Sequence, residues 1–245
     1  MKDIAIIMYS HSEYSDAWEM FFGQLEKHLH SKVKKYIFTD KDLETIPDDW
    51  QAVLYNNEDT YSKRVAGCLT MVDEEYCIFH HEDMPLFDNA DLDKIEYFKK
   101  TLDKEDDLSY IKMVKGGMYG PEHQDVQYKD YDSLFTLNER DNFLFAVQPS
   151  IWKTKDLLKI YKITLIKHIR EFETNATEIC RYMNIKGLYY FGGEDKRGMF
   201  HWDSDAYPYI CTAINKGKWN TSEYGKELLE LFSTYSIDPS IRGEI

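Results

Sequence analysis

The stretch Glu75-Tyr76-Cys77-Ile78-Phe79-His80-His81-Glu82-Asp83-Met84 limits what this chain can fold into more than any other. Four residues of mostly apolar, β-forming type follow an acidic turn and run straight into histidines and acids. So short a run predicts a strand buried on both faces, as in a parallel sheet. The carboxyl end of such a strand is where an open α/β sheet binds its ligand. Two adjacent carboxylates there suit a divalent cation or the polar edge of a nucleotide. On a strand, His81 and Asp83 face one way and His80 and Glu82 the other. A solvated acidic loop is the alternative reading.

The segments before it supply partners for that strand. Ile4–Met8 predicts a first buried strand, followed by the polar loop Tyr9–Glu13. A helix then carries Trp18, Phe21, Phe22, Leu25 and Leu29 at helical spacing. Val33–Phe38 and Ala52–Tyr55 predict two more strands, and Tyr61–Val72 a helix with Val65, Leu69 and Val72 on one face. This alternation favours a mainly parallel sheet with right-handed crossovers. Further on, the pattern predicts a helix at Ile95–Leu102 and strands at Tyr110–Val114, Tyr131–Leu137 (antiparallel) and Phe143–Pro149, the last stopped by its proline. Thr154 is expected to cap a helix running through Lys159 or beyond, and another helix covers Thr174–Met183. Gly116–Pro121 reads as a break and a mobile loop. Leu188–Phe191 and Pro208–Ile210 read as short irregular elements. With no repeat and no clean linker, the 245 residues read as one domain.

Composition removes some functions. A net charge of -14 argues against a nucleic-acid partner, whose phosphates need a basic surface, and against simple electrostatic docking on an anionic membrane. Cys68, Cys77, Cys180 and Cys211 form no CxxC pair and read as free thiols of a reducing compartment. Ile4–Met8 is too short for a signal segment, and no stretch reaches the roughly 20 apolar residues of a membrane helix. The expected location is cytoplasmic, with no transmembrane segment and peripheral attachment to a membrane left open.

Several side chains stand where chemistry would need them. Ser10, His11, Ser12 and Tyr14 follow the first strand, beside the switch point of such a sheet. Tyr14 could stack on a base and the serines could hydrogen-bond it; helix capping by Ser12 or Ser15 is the alternative. Asp40 ends the second strand and could accept from a ribose or base, or simply serve a turn. Glu171 and Glu173 lie near a helix start, where one could act as a general base or merely complement the helix N-terminus. The 19 tyrosines and 5 tryptophans offer flat faces suited to sugar rings and equally to an ordinary core. Trp152, Trp202 and Trp219 lie near polar clusters.

Taken in order, these segments resemble GT-A-type glycosyltransferases, in particular a small group associated with lipopolysaccharide, capsule and other surface glycans. Tyr76–Asp83 resembles the group's hydrophobic strand ending in paired acids, the DxD-like position. Phe145–Trp152 resembles its Q-P-x-x-W segment, Glu171-Phe172-Glu173 its x-F-E segment, and Tyr207–Ile210 through Lys216-Gly217-Lys218-Trp219-Asn220 its G-K-W end. His81 stands where a strict DxD carries an acid. The resemblance implies an α/β, Rossmann-type three-layer sandwich with a mixed, mostly parallel central sheet and helical C-terminal elements. It implies a nucleotide-binding half over 1–115 and an acceptor-binding half over 116–245. It also implies transfer of a sugar, with inversion, from a UDP- or GDP-linked donor to a glycan or glycolipid acceptor, in surface polysaccharide or glycoprotein glycan synthesis. The implied cofactor is Mn²⁺ or Mg²⁺, held by Asp83 with His81. Ser10, His11, Ser12, Tyr14, Asp40 and Glu82 would serve the nucleotide, and Gln148, Trp152 and Trp202 the acceptor. Glu173, and second Glu171, would be the base, with Gly116–Gly120 as a lid. One rival is a nucleotidyltransferase or phosphosugar enzyme, although Ser10–Tyr14 lacks the glycine and lysine of a phosphate loop. The other is an inactive glycan-binding protein, which His81 leaves open.

Overall fold

The computed structural model describes residues 3–117, 123–137, 143–164, 169–198 and 201–245. Four strands build its parallel half: β1 (Ile4–Tyr9), β2 (Lys34–Thr39), β3 (Trp50–Leu54) and β4 (Tyr76–His81). Every residue of β1 is buried, because β1 has a parallel neighbour on each edge and helices over each face. Ile6 lies opposite Ile78 of β4, and Met8 opposite Ile37 of β2. The remaining strands are β5 (Leu108–Lys112), β6 (Leu134–Thr136), β7 (Ser150–Lys153) and β8 (Lys186–Tyr190). Together the eight form one sheet in the order β3-β2-β1-β4-β7-β5-β8-β6. Only β7 and β6 run against the rest among the described residues.

Helices cover both faces, giving three layers. On one side, α1 (Trp18–His28) sets Phe21 against His80, with 5.5 Å between ring centres, and α3 (Leu92–Lys104) sets Lys99 over Tyr76. On the other side lie α2 (Tyr61–Leu69), α4 (Thr154–Ile163) and α5 (Ile169–Tyr182). There Phe79 meets Tyr161 of α4, and Tyr161 stacks on Phe172 of α5 at 4.4 Å. The α2 start is capped by Thr60 and the α3 start by Asp91, each side chain accepting the amide three residues on. A smaller apolar cluster joins the hairpin β9 (Ile214–Asn215) and β10 (Lys218–Trp219) to α6 (Thr221–Thr234). Lys216 and Gly217, both at positive φ, form its two-residue turn. No helix among the described residues is long and apolar enough to cross a membrane, and all four cysteines are free.

The amino-terminal elements match the expectations from sequence closely. The later ones differ in instructive ways. Phe143–Pro149 is not a strand. Its carbonyls at 143 and 144 are taken by Lys112 Nζ and the Tyr110 hydroxyl, and the strand β7 begins only after Pro149. Leu188–Phe191 is not irregular: β8 lies inside the sheet, where Gly187 leaves room for the Tyr110 ring. Strand β5 starts two residues before the expected Tyr110. Thr154 begins α4 but does not cap it; its hydroxyl sits against the Cys77 thiol. Helix α5 starts at Ile169 rather than Thr174, so Glu171 and Glu173 lie inside it. Helix α6 carried no expectation. From Met118 onward the expected lid lies outside the described residues.

Candidate functional site

The carboxyl ends of β1, β2 and β4 meet at one edge. Leaving β1, the Ser10 amide donates to the Phe38 carbonyl at 3.0 Å, and the Ser10 hydroxyl accepts from Trp18 Nε1 at 2.7 Å. These bonds aim the next residues at the end of β2. There Asp40 accepts from the Ser12 amide (2.7 Å), the Ser12 hydroxyl (3.0 Å) and Asn57 Nδ2 (3.1 Å), with His11 Nε2 3.5 Å away. Burial opposes the Asp40 charge, but the Ser12 and Asn57 donors outweigh it and hold the carboxyl at about 2. Asp40 is therefore an ionised acceptor, locked to the first loop. His11 Nδ1 accepts from the Glu13 amide, capping a short 3-10 helix over Ser12–Ala17. Ser10, His11, Ser12 and Asp40 thus come together, as expected. Tyr14 lies in the same loop, with the Arg242 guanidinium 4.7 Å from its ring centre.

At the end of β4 the alternation holds. His80 turns toward α1, with Nδ1 on the Ile7 carbonyl and Nε2 on the Tyr207 hydroxyl at 2.8 Å. His81 turns toward α2, with Nε2 2.9 Å from the Tyr61 hydroxyl. Burial, and then the neighbouring His80, push the His81 pKa down to about 3, so the ring is neutral. Glu82 is buried, and its pKa is raised first by that burial and then by the Asp83 charge; the Ser10 hydroxyl and Arg242 oppose the rise. Asp83 is raised by burial, against the opposing pull of its own backbone amide and that of Ile214. The backbone around the acids is laced to a distant segment. Ala213 N donates to the Asp83 carbonyl, Ile210 N to Pro85 and Phe87 N to Pro208, at 2.8, 2.9 and 3.0 Å.

A buried and a half-buried carboxylate side by side, the Asp83 charge opposing that of Glu82, fit a hard divalent cation, which takes oxygen ligands and completes its shell with water and phosphate. His81 fits less well, because its Nε2 is committed to Tyr61. Among the described residues no group of three or more His, Cys, Asp and Glu is poised around a metal.

The two acids of Glu171-Phe172-Glu173 part company. Glu171 is exposed. Glu173 is largely enclosed; its Oε1 accepts the Val147 amide at 2.7 Å, and burial raises its pKa against that bond and Lys112. Its charge is felt by Tyr61 and Tyr161, whose hydroxyls lie 3.2 Å apart. A row of polar side chains thus leads from Glu173 through Tyr161 and Tyr61 to His81.

The aromatic candidates separate as well. Trp152 is a core residue: it is 2% exposed, stacked on Tyr110 at 3.9 Å, and closed to any acceptor. Trp219 is likewise enclosed, against Phe232. Trp202 is half-buried, with Lys115 and Lys196 4.9 and 5.0 Å from its ring centre. Gln148 is half-buried, and its Nε2 has no protein partner. The sequence reading missed Tyr9 and Tyr55, stacked at 5.3 Å, and Arg64, whose guanidinium lies 5.1 Å from the Tyr55 ring centre. Their one sequence signal is position: Tyr9 ends β1 and Tyr55 directly follows β3. A cavity of about 610 Å³ lies at the opposite edge, by the amino ends of β5 and β8, away from these groups.

No protein-family model matches the chain, and no curated protein matches it. Solved structures do. The structure titled S. aureus TarS 1-349 aligns over 98% of this chain and 68% of that one, with 11% identity and a TM-score of 0.52. A second S. aureus TarS structure covers 98% of this chain and 41% of its own, with 12% identity and a TM-score of 0.51. A match to the bifunctional IspDF from Campylobacter jejuni, at 13% identity over 78% of this chain and 50% of that one, has a TM-score of 0.47 and carries no weight. These matches show the fold alone, and the chain has a GT-A-like fold.

Proposed function

We propose that this chain is a nucleotide-sugar-dependent glycosyltransferase. The observation that carries the reading is the adjacent pair of buried Glu82 and half-buried Asp83 at the end of β4, beside the Ser12–Asp40 lock at the ends of β1 and β2. The first loop takes the nucleoside, and the enclosed Asp40 carboxylate holds that loop in place rather than touching the ligand. Asp83, with Glu82, would hold a divalent cation, Mn²⁺ or Mg²⁺, which would neutralise the leaving diphosphate. Glu173 is the base that takes the acceptor hydroxyl's proton. Its raised pKa makes it a stronger base than an ordinary carboxylate, and base catalysis from the side opposite the leaving group inverts the anomeric centre. Gln148 and Trp202 face a glycan or glycolipid acceptor of surface polysaccharide or glycoprotein glycan synthesis. The donor is UDP- or GDP-linked.

Incubation with a panel of nucleotide sugars, with and without Mn²⁺, tests this. The expected result is release of nucleoside diphosphate from one donor, faster with Mn²⁺. Pyrophosphate release from a nucleoside triphosphate and a sugar phosphate would instead establish a nucleotidyltransferase. Glycan binding with no turnover of any donor would establish an inactive binding protein.

A further inference from the structure

Arg242 is far from the first loop in sequence and beside it in space. Residues 239–245 fold back along β10: Trp219 N donates to the Gly243 carbonyl (3.0 Å), Ile245 N to Trp219 (3.0 Å) and Ser222 N to Ile245 (2.9 Å). This lacing sets the Arg242 side chain, 12% exposed, over the loop that follows β1. Its Nε donates to Asp16 Oδ2 at 2.6 Å, and Nη2 donates to Oδ1 of the same carboxylate. Its guanidinium lies 4.7 Å from the Tyr14 ring centre and 5.8 Å from that of Trp219. It also lies within electrostatic reach of Glu82, favouring that residue's charge.

A surface staple between Arg242 and Asp16 would account for the ion pair alone. It would not call for a nearly buried guanidinium set near two aromatic rings and within electrostatic reach of Glu82. A guanidinium carries five N–H donors in a rigid plane, and the Asp16 carboxylate occupies one edge of it. A diphosphate arriving beside two carboxylates adds negative charge that a single divalent cation does not fully offset. The rigid fork matches phosphate oxygens where a lysine would act only as a point charge.

We infer that Arg242 is a ligand of the donor's diphosphate, oriented by Asp16 and by the Tyr14 and Trp219 rings. The inference rests on the glycosyl-transfer reading above. Arg242 would then let the site prefer nucleoside diphosphates over nucleosides.

The test is calorimetric titration, with Mn²⁺ present, of UDP, GDP, uridine and guanosine into the intact protein and two variants. In Arg242→Ala, diphosphate affinity is expected to fall about ten- to a hundredfold while nucleoside affinity holds, the loss of a charge-assisted bond. In Asp16→Asn the staple is broken and the guanidinium remains, so the preference for diphosphate is expected to persist. An unchanged preference in Arg242→Ala, with a cooperative melt showing the protein folded, overturns the inference and leaves the transferase reading standing. Equal loss in both variants overturns it in favour of a staple. No preference for diphosphate in the unaltered protein overturns the transferase reading and this inference with it.

Discussion

Glu82 and Asp83 sit side by side in a setting that penalises both charges. Their folded pKa values lie above the unfolded carboxylate value of about 4. The favourable contribution is therefore complete below about pH 4 and is lost as pH rises through the raised folded values, so the pair costs stability at neutral pH. Asp83→Asn removes one charge and keeps the shape. Its melting temperature at pH 8 is expected to rise by about 2–4 °C, the shift of about 1 kcal/mol in a chain of this size, with transfer nearly abolished. Calorimetric melts across pH, beside a transfer assay, check both parts; normal transfer would remove Asp83 from the site. Glu173 makes a second residue-scale case. Glu173→Gln keeps the acceptor oxygen for the Val147 amide but loses basicity, so kcat is expected to fall at least a hundredfold with donor affinity intact. Single-turnover kinetics with donor titration separates the two. Retained anomeric configuration in the product would dismiss the base.

At the scale of elements, the sheet's second half depends on one close approach. Tyr110 of β5 is fully buried and stacked on Trp152 of β7, and a Cβ at Gly187 of β8 would fall 2.2 Å from the Tyr110 ring. Backbone and ring share the space that a side chain would need. Gly187→Ala is therefore expected to destabilise the fold by about 1–3 kcal/mol, the usual cost of overpacking. Trp152→Ala, which empties a core site, should cost about 3–5 kcal/mol. Urea denaturation measures both, and a neutral Gly187→Ala would show that Tyr110 can move aside. The same contacts explain why β7 and β8 were hard to read from sequence. Phe143–Val147 has the apolar composition of a strand, yet its backbone groups are spent on side chains of β5 and α5.

In the whole molecule, β1 and β4 form the centre, each paired along its length and covered on both faces. Native-state hydrogen exchange should place the slowest amides in Ile6–Met8 and Cys77–Phe79, and much faster ones in 123–133 and 236–245, which lie outside the central strands. Slow exchange confined instead to β5–β8 would relocate the stable core. The candidate site draws on both parts of the chain. Its proposed donor side comes from the ends of β1, β2 and β4, while residues 208–214 lace the acids and residue 242 arrives over the first loop.

How much of this was legible in the linear chain follows from how local each signal is. The strands β1 to β4, the helices α1 to α3, the His80/His81 alternation and the acids at a strand end could all be read, because a continuous apolar run or a helical stripe is written within ten or so neighbouring residues. The grouping of Ser12 with Asp40 followed from the rule that ligands gather at strand ends. The burial of Trp152, the strand at Lys186–Tyr190, the separate environments of Glu171 and Glu173, the Tyr9–Tyr55–Arg64 cluster and the placing of Arg242 were decided only by the tertiary structure. Each depends on contact between segments tens to hundreds of residues apart. Whether a side chain is a core residue or a site residue is set by what packs against it, and such pairing leaves no local periodicity in the sequence.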